Sequence, residues 1–424
     1  MKITRQAICT LLCILVTSPY ICSQDKVKTP AEEFGFTSEF VPHTYSTIWR
    51  GNKVDTLFPS AILGYGKNVS IFTPVKFGIN PDEKYPLIIM FDRQDTRIID
   101  NLLQSVDLLE SYGQIPRSVV VGIESGRGPD QRRKEAKWGI DGSNAYGEKY
   151  DQFVFEELVP YIVNNYRIDK NQIIVYGHSW HGYHSTMILI HHIPDLFAVI
   201  SASPCCLSPE RISDVVKAIT HAGPLDHKFF YRVASGHDIG DDLDVYRELT
   251  GKITLSRLPE NFDYKPTWFG SAMHMEVPGL LFHQALYEIY SDWADLAFAY
   301  ADPANHATFN DAALYDSLQA ISDKIYGIRI PIYDRHLDMR VEYYRYIKDE
   351  QVKNSGKIAT WKFMMEKYGE KPELCFNIAE TYLLQNNPDS ARQYLKKART
   401  YRLDEELKKK VNELERQIKQ KSKQ

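Results

Sequence analysis

Ile174-Val175-Tyr176-Gly177-His178-Ser179-Trp180-His181-Gly182 is the stretch on which the fold turns. Its first half is apolar on both faces, Gly177 interrupts it, and helical spacing takes over beyond it through Met187, Ile188 and Ile190. The reading is a buried strand, a tight turn at Ser179, and a helix. A serine on such an elbow stands above the C-terminal edge of its strand, with its hydroxyl open to solvent near the positive end of a helix dipole. The plainer alternative is a serine that only caps a helix. Strand and helix backbones pass close at an elbow, so small residues are wanted two before and two after the serine. Gly177 meets that demand. His181 does not, and the next glycine comes one place late at Gly182.

The same kind of run recurs on either side. Residues 85–91, 118–123, 197–201 and 229–233 are short and continuously apolar, as strands buried on both faces must be. A turn over 64–68 followed by alternation over 69–74 predicts a hairpin with an entry strand upstream. Helical spacing marks 100–112, 150–166 and 279–296. Strand and helix alternate over 60–297, which predicts a doubly wound, mostly parallel α/β sheet. After Asp302-Pro303 only helical patterns remain. Residues 379–398 resemble a tetratricopeptide repeat, with a degenerate partner before them. One repeat cannot bury its own faces, so this small all-α helical-repeat domain is expected to dock on the sheet or on another chain.

Composition limits the function classes. The chain has 424 residues, 43% hydrophobic and 25% charged, with a formal charge of −4. That suits a globular chain of more than one domain and excludes a polytopic membrane protein or a mostly disordered one. No basic excess points to nucleic acid. Lys2 and Arg5, then an apolar run from Ala7 to Val16 too short to span a bilayer, read as an export signal cleaved at Ser23–Gln24. The mature chain is therefore expected in the periplasm or outside the cell, with no transmembrane segment. A lipid anchor on Cys22 is disfavoured, because Ile21 stands where a small residue is wanted. Removing the signal leaves Cys205, Cys206 and Cys375, read as free thiols with the adjacent pair buried. The predicted division is 1–23 signal, 24–57 extension, 58–300 sheet domain and 304–424 helical region.

A serine on this elbow needs an acid and then a histidine, each on a loop after a later strand. Asp238 follows the 229–233 run most directly, while Asp241, Asp242 and Asp244 are open as alternatives or as helix caps. His274 lies in the predicted loop 268–276 and is the candidate base. The oxyanion donors are expected to be the backbone N–H of Trp180 and that of Arg93 or Gln94. Arg93 is also read as a contact for an anionic substrate group or as half of a salt bridge to an acid such as Asp95.

At these residues the chain resembles the esterase family of α/β-hydrolases that includes esterase D, feruloyl and acetyl-xylan esterases and ferric-enterochelin esterases. The resemblance covers roughly 58–297. It rests on Lys84-Tyr85-Pro86-Leu87, Phe91-Asp92, Val121-Gly122-Ile123, the run from Phe155 to Ile162, Gly177-His178-Ser179, and Ala272-Met273-His274-Met275-Glu276-Val277-Pro278. It implies Ser179 as nucleophile, His274 as base and an acid near Asp238. Members often carry tetratricopeptide repeats behind the hydrolase. The family closes its serine motif with two glycines and places a glycine after the aspartate. Here His181 and Arg93 stand at those places, and both are expected to crowd the cleft.

The expected protein is thus an exported serine esterase acting on a small-molecule or glycan-linked ester, with no metal or organic cofactor. One alternative is a silent relative that binds a glycan, siderophore or protein in the same cleft, and another is a scaffold that meets a protein partner through its helical repeats. His178, His181 and His184 invite a zinc reading, but their spacing misses the His-Glu-x-x-His pattern, and polar or aromatic packing is preferred.

Overall fold

The computed structural model describes residues 49–80, 82–126, 128–139, 146–238, 240–305 and 311–421. The export signal and residues 24–48 of the 24–57 extension lie outside the described residues, and the rest of the extension enters β1. Eight strands form one sheet in the order β1-β2-β4-β3-β5-β6-β7-β8. They are β1 Asn52–Pro59, β2 Gly66–Thr73, β3 Tyr85–Phe91, β4 Val119–Ile123, β5 Ile168–His178, β6 Ala198–Ala202, β7 Phe229–His237 and β8 Phe262–Met273. β2 runs antiparallel to both β1 and β4, and every other pairing is parallel. This is the sheet of an α/β-hydrolase, followed by a helical C-terminal region.

The central strands are wholly apolar because both faces are covered. Successive side chains of a strand point to opposite faces, and the cores divide accordingly. Leu87, Ile89, Phe91, Val121 and Val175 join one cluster with Tyr183 and Met187 of helix Trp180–His192. Ile88, Met90, Val120, Ile174 and Tyr176 join the other with Leu102 and Val106 of helix Thr96–Ser111. Leu281 and Phe282 of helix Val277–Ile289 pack into that second cluster. The sheet is held between two layers of helices, so the elbow at the end of β5 has a fixed floor.

Several elements differ from the sequence reading. The hairpin is present, but its strand already starts at Gly66 and its turn lies earlier, over 60–65. The expected 150–166 helix is three pieces, Gly147–Gln152, a π-helical Phe153–Leu158 and Val159–Asn165. The expected 279–296 helix breaks at Tyr290 into Val277–Ile289 and Ser291–Ala301. β8 has no counterpart in the reading: as an edge strand it is mostly solvent-facing, and Pro266 and Gly270 interrupt its apolar pattern. Helices Pro129–Ala136, Pro209–Thr220 and Asp242–Thr254 are also additions to it.

The C-terminal helices dock on the sheet domain. Trp293 stacks on Tyr333 with ring centroids 5.8 Å apart, and Tyr333 Oη donates to the carbonyl of Glu110 at 3.1 Å. His336 Nε2 meets the Gly113 carbonyl at 3.0 Å, and burial pushes this imidazole down to about 4, so it is neutral and donates. Further along, helices Pro372–Leu384, Pro388–Ala398 and Glu405–Lys421 share a separate core around Ala379, Leu383, Ala391, Leu395 and Val411. Among the described residues no helix is long and apolar enough to cross a membrane.

Candidate active site

β5 delivers its chain to Ser179 with φ 60 and ψ −118, a left-handed backbone that a side chain adopts only when its surroundings enforce it. The enforcement is local. Ser179 N–H donates to the Ala202 carbonyl at 2.9 Å, and its own carbonyl accepts from Tyr183 N–H at 2.8 Å. A Cβ on Gly177 would lie 1.9 Å from the His181 carbonyl oxygen, so only glycine lets the helix fold back onto the strand there. On the far side the close approach falls at Gly182, where a Cβ would meet the Ala202 carbonyl at 2.5 Å. The glycine that came one place late is the one the packing uses.

The structure brings His274 and Asp238 together. His274 Nδ1 lies 2.6 Å from Asp238 Oδ1, and Ser235 Oγ donates to the other carboxylate oxygen. Burial would raise the Asp238 carboxyl, but the hydrogen bonds from His274 and Ser235 outweigh it and hold the group well below the usual range. Asp238 is therefore the acid that meets His274. Asp241 sits at the cap position of helix Asp242–Thr254, Asp242 accepts from Cys206 N–H at 3.2 Å, and Asp244 pairs with Arg247. His274 follows β8 by one residue instead of riding a long loop, and its backbone is pinned by His178, whose Nε2 lies 3.1 Å from the His274 carbonyl. Burial, with His274 nearby, pushes His178 down to about 3, so it stays neutral and donates from Nε2.

Ser179, His178 and His274 line one cleft of about 510 Å³ with Asp92, Gln94, Asp95, Arg97 and Arg132. Trp180 is the first residue of its helix, so its N–H has no intrahelical acceptor and is free for an oxyanion. The Arg93 N–H is not: it donates to the Ile123 carbonyl at 3.0 Å, extending the β3–β4 pairing by one bond. That removes Arg93 from the predicted donor pair and leaves Gln94, whose side chain bridges Ser125 N–H and Asp92.

Neither departure from the family motif crowds the cleft. The Arg93 side chain is 2% exposed and turned away, paired at 3.3 Å with both Asp55 and Glu124 and bonded to Ser70, so it meets neither a substrate anion nor Asp95. His181 is fully buried beneath the elbow, with Nδ1 3.0 Å from Asp92 Oδ2 and its ring stacked on Phe91. His184 takes a third partner, Trp138 Nε1 at 3.2 Å, so the three histidines serve three different contacts. Cys206 is exposed, not buried as expected, while Cys205 and Cys375 are buried free thiols.

Arg132 was not legible in the sequence, where it sits in an unremarkable basic run. Its guanidinium grips Asp92 through Nε at 2.8 Å and Nη2 at 2.7 Å, and Nη2 also donates to the His178 carbonyl at 2.9 Å. One side chain thereby ties the loop after β3 to the elbow. Burial pushes the Asp92 carboxyl up, but His181 and Arg132 outweigh it and hold it well below the ordinary value.

Residues 60–249 match the model of the family described as Putative esterase. The match covers just under half of the chain. Solved structures share its fold. An IroE-like serine hydrolase from Shewanella oneidensis is 15% identical with a TM-score of 0.56, over 74% of this chain and 100% of that one. An uncharacterised protein from Capnocytophaga ochracea is 17% identical with a TM-score of 0.54, over 86% of this chain and 99% of its own. That alignment reaches well past residue 249 into the C-terminal helices. The BES protein from Bacillus cereus, 16% identical with a TM-score of 0.50, aligns over 59% of this chain and 98% of its own. No curated protein matches the sequence.

Proposed function

We propose that the protein is an exported serine carboxylic-ester hydrolase that works through an acyl-enzyme on Ser179. The observation that carries this reading is the 2.6 Å contact of His274 Nδ1 with Asp238, beside the cleft that Ser179 lines from a left-handed elbow. With Nδ1–H given to a carboxylate, the lone pair of His274 is on Nε2, the nitrogen available to the serine hydroxyl.

In this mechanism His274 Nε2 takes the Ser179 proton as Oγ bonds to the ester carbonyl carbon. The electron pair moves to the carbonyl oxygen, which receives hydrogen bonds from the N–H groups of Trp180 and Gln94. Collapse breaks the bond to the alcohol, and His274 returns the proton to it. Water then gives a proton to His274 as its oxygen bonds to the acyl carbon; the bond to Ser179 Oγ breaks, His274 returns the proton to Oγ, and the acid leaves. Asp238 stays ionised throughout and steadies the imidazolium.

The cleft opens beside a larger cavity of about 1050 Å³, which shares Asp95, Arg97, Ile98 and Met275 with it. Room of that size supports a small-molecule or glycan-linked ester with an extended second half. Export rests on the N-terminal pattern of Lys2, Arg5 and the apolar run to Val16. The helical region is read as a repeat-like appendage able to carry a protein partner. Hydrolysis of short-chain aryl esters, with fluorophosphonate labelling of the purified protein and of Ser179→Ala, tests the proposal. Turnover and labelling confined to the unaltered chain are expected. A chain that neither labels nor hydrolyses any ester overturns it.

A further inference from the structure

The loop that follows β6 carries chemistry the ester mechanism does not use. It leaves the sheet through Ser203 at φ 42 and reaches Cys205 and Cys206, the latter also left-handed at φ 58. This twist aims two adjacent side chains at one place. Cys205 Sγ, Cys206 Sγ and a carboxylate oxygen of Asp242 all lie within 4.8 Å of one another. The Cys206 N–H donates to Asp242 Oδ1 at 3.2 Å, which fixes the carboxylate against the pair. Cys205 is buried on the cleft side, with its sulfur 4.0 Å from Ser179 Oγ, whereas Cys206 is exposed and gives access from solvent.

We propose that Cys205, Cys206 and Asp242 form a binding site for a thiophilic d10 cation, Zn2+ or Cd2+, and that its occupation blocks the Ser179 nucleophile. Two sulfurs and one carboxylate are a donor set suited to these ions, of which Zn2+ binds thiolate at about 2.3 Å and accepts four ligands in a tetrahedron. Three protein ligands leave a fourth place, and the nearest catalytic oxygen is that of Ser179. The step is proton release only: each thiol loses its proton as its sulfur binds, and no oxidant is needed. A disulfide within the pair would close a strained eight-membered ring through the peptide, so the reduced pair is the form that meets the ion. The inhibitory half rests on Ser179 being the nucleophile; the binding half does not.

Cadmium titration of the reduced, full mature chain tests both halves. The thiolate-to-cadmium charge-transfer band in the ultraviolet should saturate at one ion per chain, with equilibrium dialysis giving the same stoichiometry and Zn2+ competing. Cys206→Ser and Asp242→Asn should each weaken binding at least 10-fold, with Cys375 present in every variant as the internal control. One equivalent of Cd2+ should remove aryl-ester turnover, and a chelator should restore it. Cys206→Ser should keep the basal turnover and resist the ion. A band that never saturates at one equivalent, or equal affinity in Cys206→Ser, overturns the site. Stoichiometric binding with undiminished turnover overturns the block on Ser179. A chain with no turnover at all would sink the esterase proposal, while the band and dialysis would still decide the metal site.

Discussion

The sheet domain holds two histidine–aspartate pairs with a serine nearby, one in the cleft and one beneath it. In the cleft, Asp238 holds His274 at 2.6 Å and Ser179 lines the same space. Below the elbow, Asp92 holds His181 at 3.0 Å, and His181 Nε2 lies 3.4 Å from Ser125 Oγ. The residue types are identical, and the distances alone would not separate the pairs. Their surroundings do. The side chain of His274 is 29% exposed, while His181 has no exposure and Ser125 only 2%. Asp92 is further saturated by Arg132 and Gln94, and Ser125 sits on ordinary backbone rather than a left-handed elbow. The buried pair fixes the loop after β3 to the helix that follows Ser179. A catalytic triad is thus defined less by its three residues than by what the second imidazole nitrogen can reach.

The comparison is broken most directly at the two serines. Ser179→Ala should cost on the order of 10⁴- to 10⁶-fold in kcat with an unchanged unfolding midpoint, as measured by ester turnover beside urea denaturation. Turnover surviving in that variant would make the cleft chain no more catalytic than the buried one. Asp238→Asn should lower kcat by about 10⁴-fold with little effect on KM, because the wrong imidazole tautomer would face the serine. Asp92→Asn should act differently. It strips the charge from the partner of a mostly buried guanidinium and should lower stability by about 3 kcal/mol in chemical denaturation. Activity should fall with it as the Gln94 loop loosens.

Acid sharpens the contrast more gently. His178 and His184 are pushed down to about 3 and about 4, in both cases chiefly by burial. The unfolded chain binds protons at these histidines near the ordinary pKa of about 6.5, whereas the folded chain does not. Stability should therefore be undiminished above that value. It should fall as the pH drops from about 6.5 toward the folded values, by at most about 1.4 kcal/mol per pH unit for each group. Asp92 and Asp238 act with the same sign in a lower window: both are held low, so their contributions persist until the pH falls below the unfolded carboxyl value of about 3.9. Urea midpoints between pH 7 and pH 5 should carry the slope of His178 and His184 together with that of His336, also held at about 4, against the opposite slope of Glu110, whose carboxyl burial pushes up to about 8. In Glu110→Gln the histidine slope should stand uncovered, and a flat profile there would contradict their buried, neutral state. The smallest effect is expected from Ser125→Ala, which should leave turnover within about twofold, since a 3.4 Å contact is a weak hydrogen bond.

Much of this was readable along the chain. The strands β3 to β7 announce themselves because strands buried on both faces must be apolar throughout. Ser179, His274 and Asp238 stood out because the elbow is a local feature and the acid and base follow predicted strands. β8 escaped because an edge strand facing solvent has no apolar run to show, even though it places His274. The fate of Arg93 and His181 escaped for another reason. A sequence shows that a large side chain replaces glycine, but not that the side chain turns inward to Asp55, Glu124 or Asp92.

Sequence by itself determined the alternating α/β order, the helical C-terminal region and the serine on its turn. Each rests on sterics and burial periodicity that act within a few residues. Only the tertiary structure decided which aspartate meets His274, which amide is left for the oxyanion, that Arg132 joins loop to elbow, and that two sulfurs converge with Asp242 beside Ser179. Those depend on hydrogen-bond and ion-pair geometry between segments far apart in the chain, where a displacement of an ångström separates a partner from a neighbour.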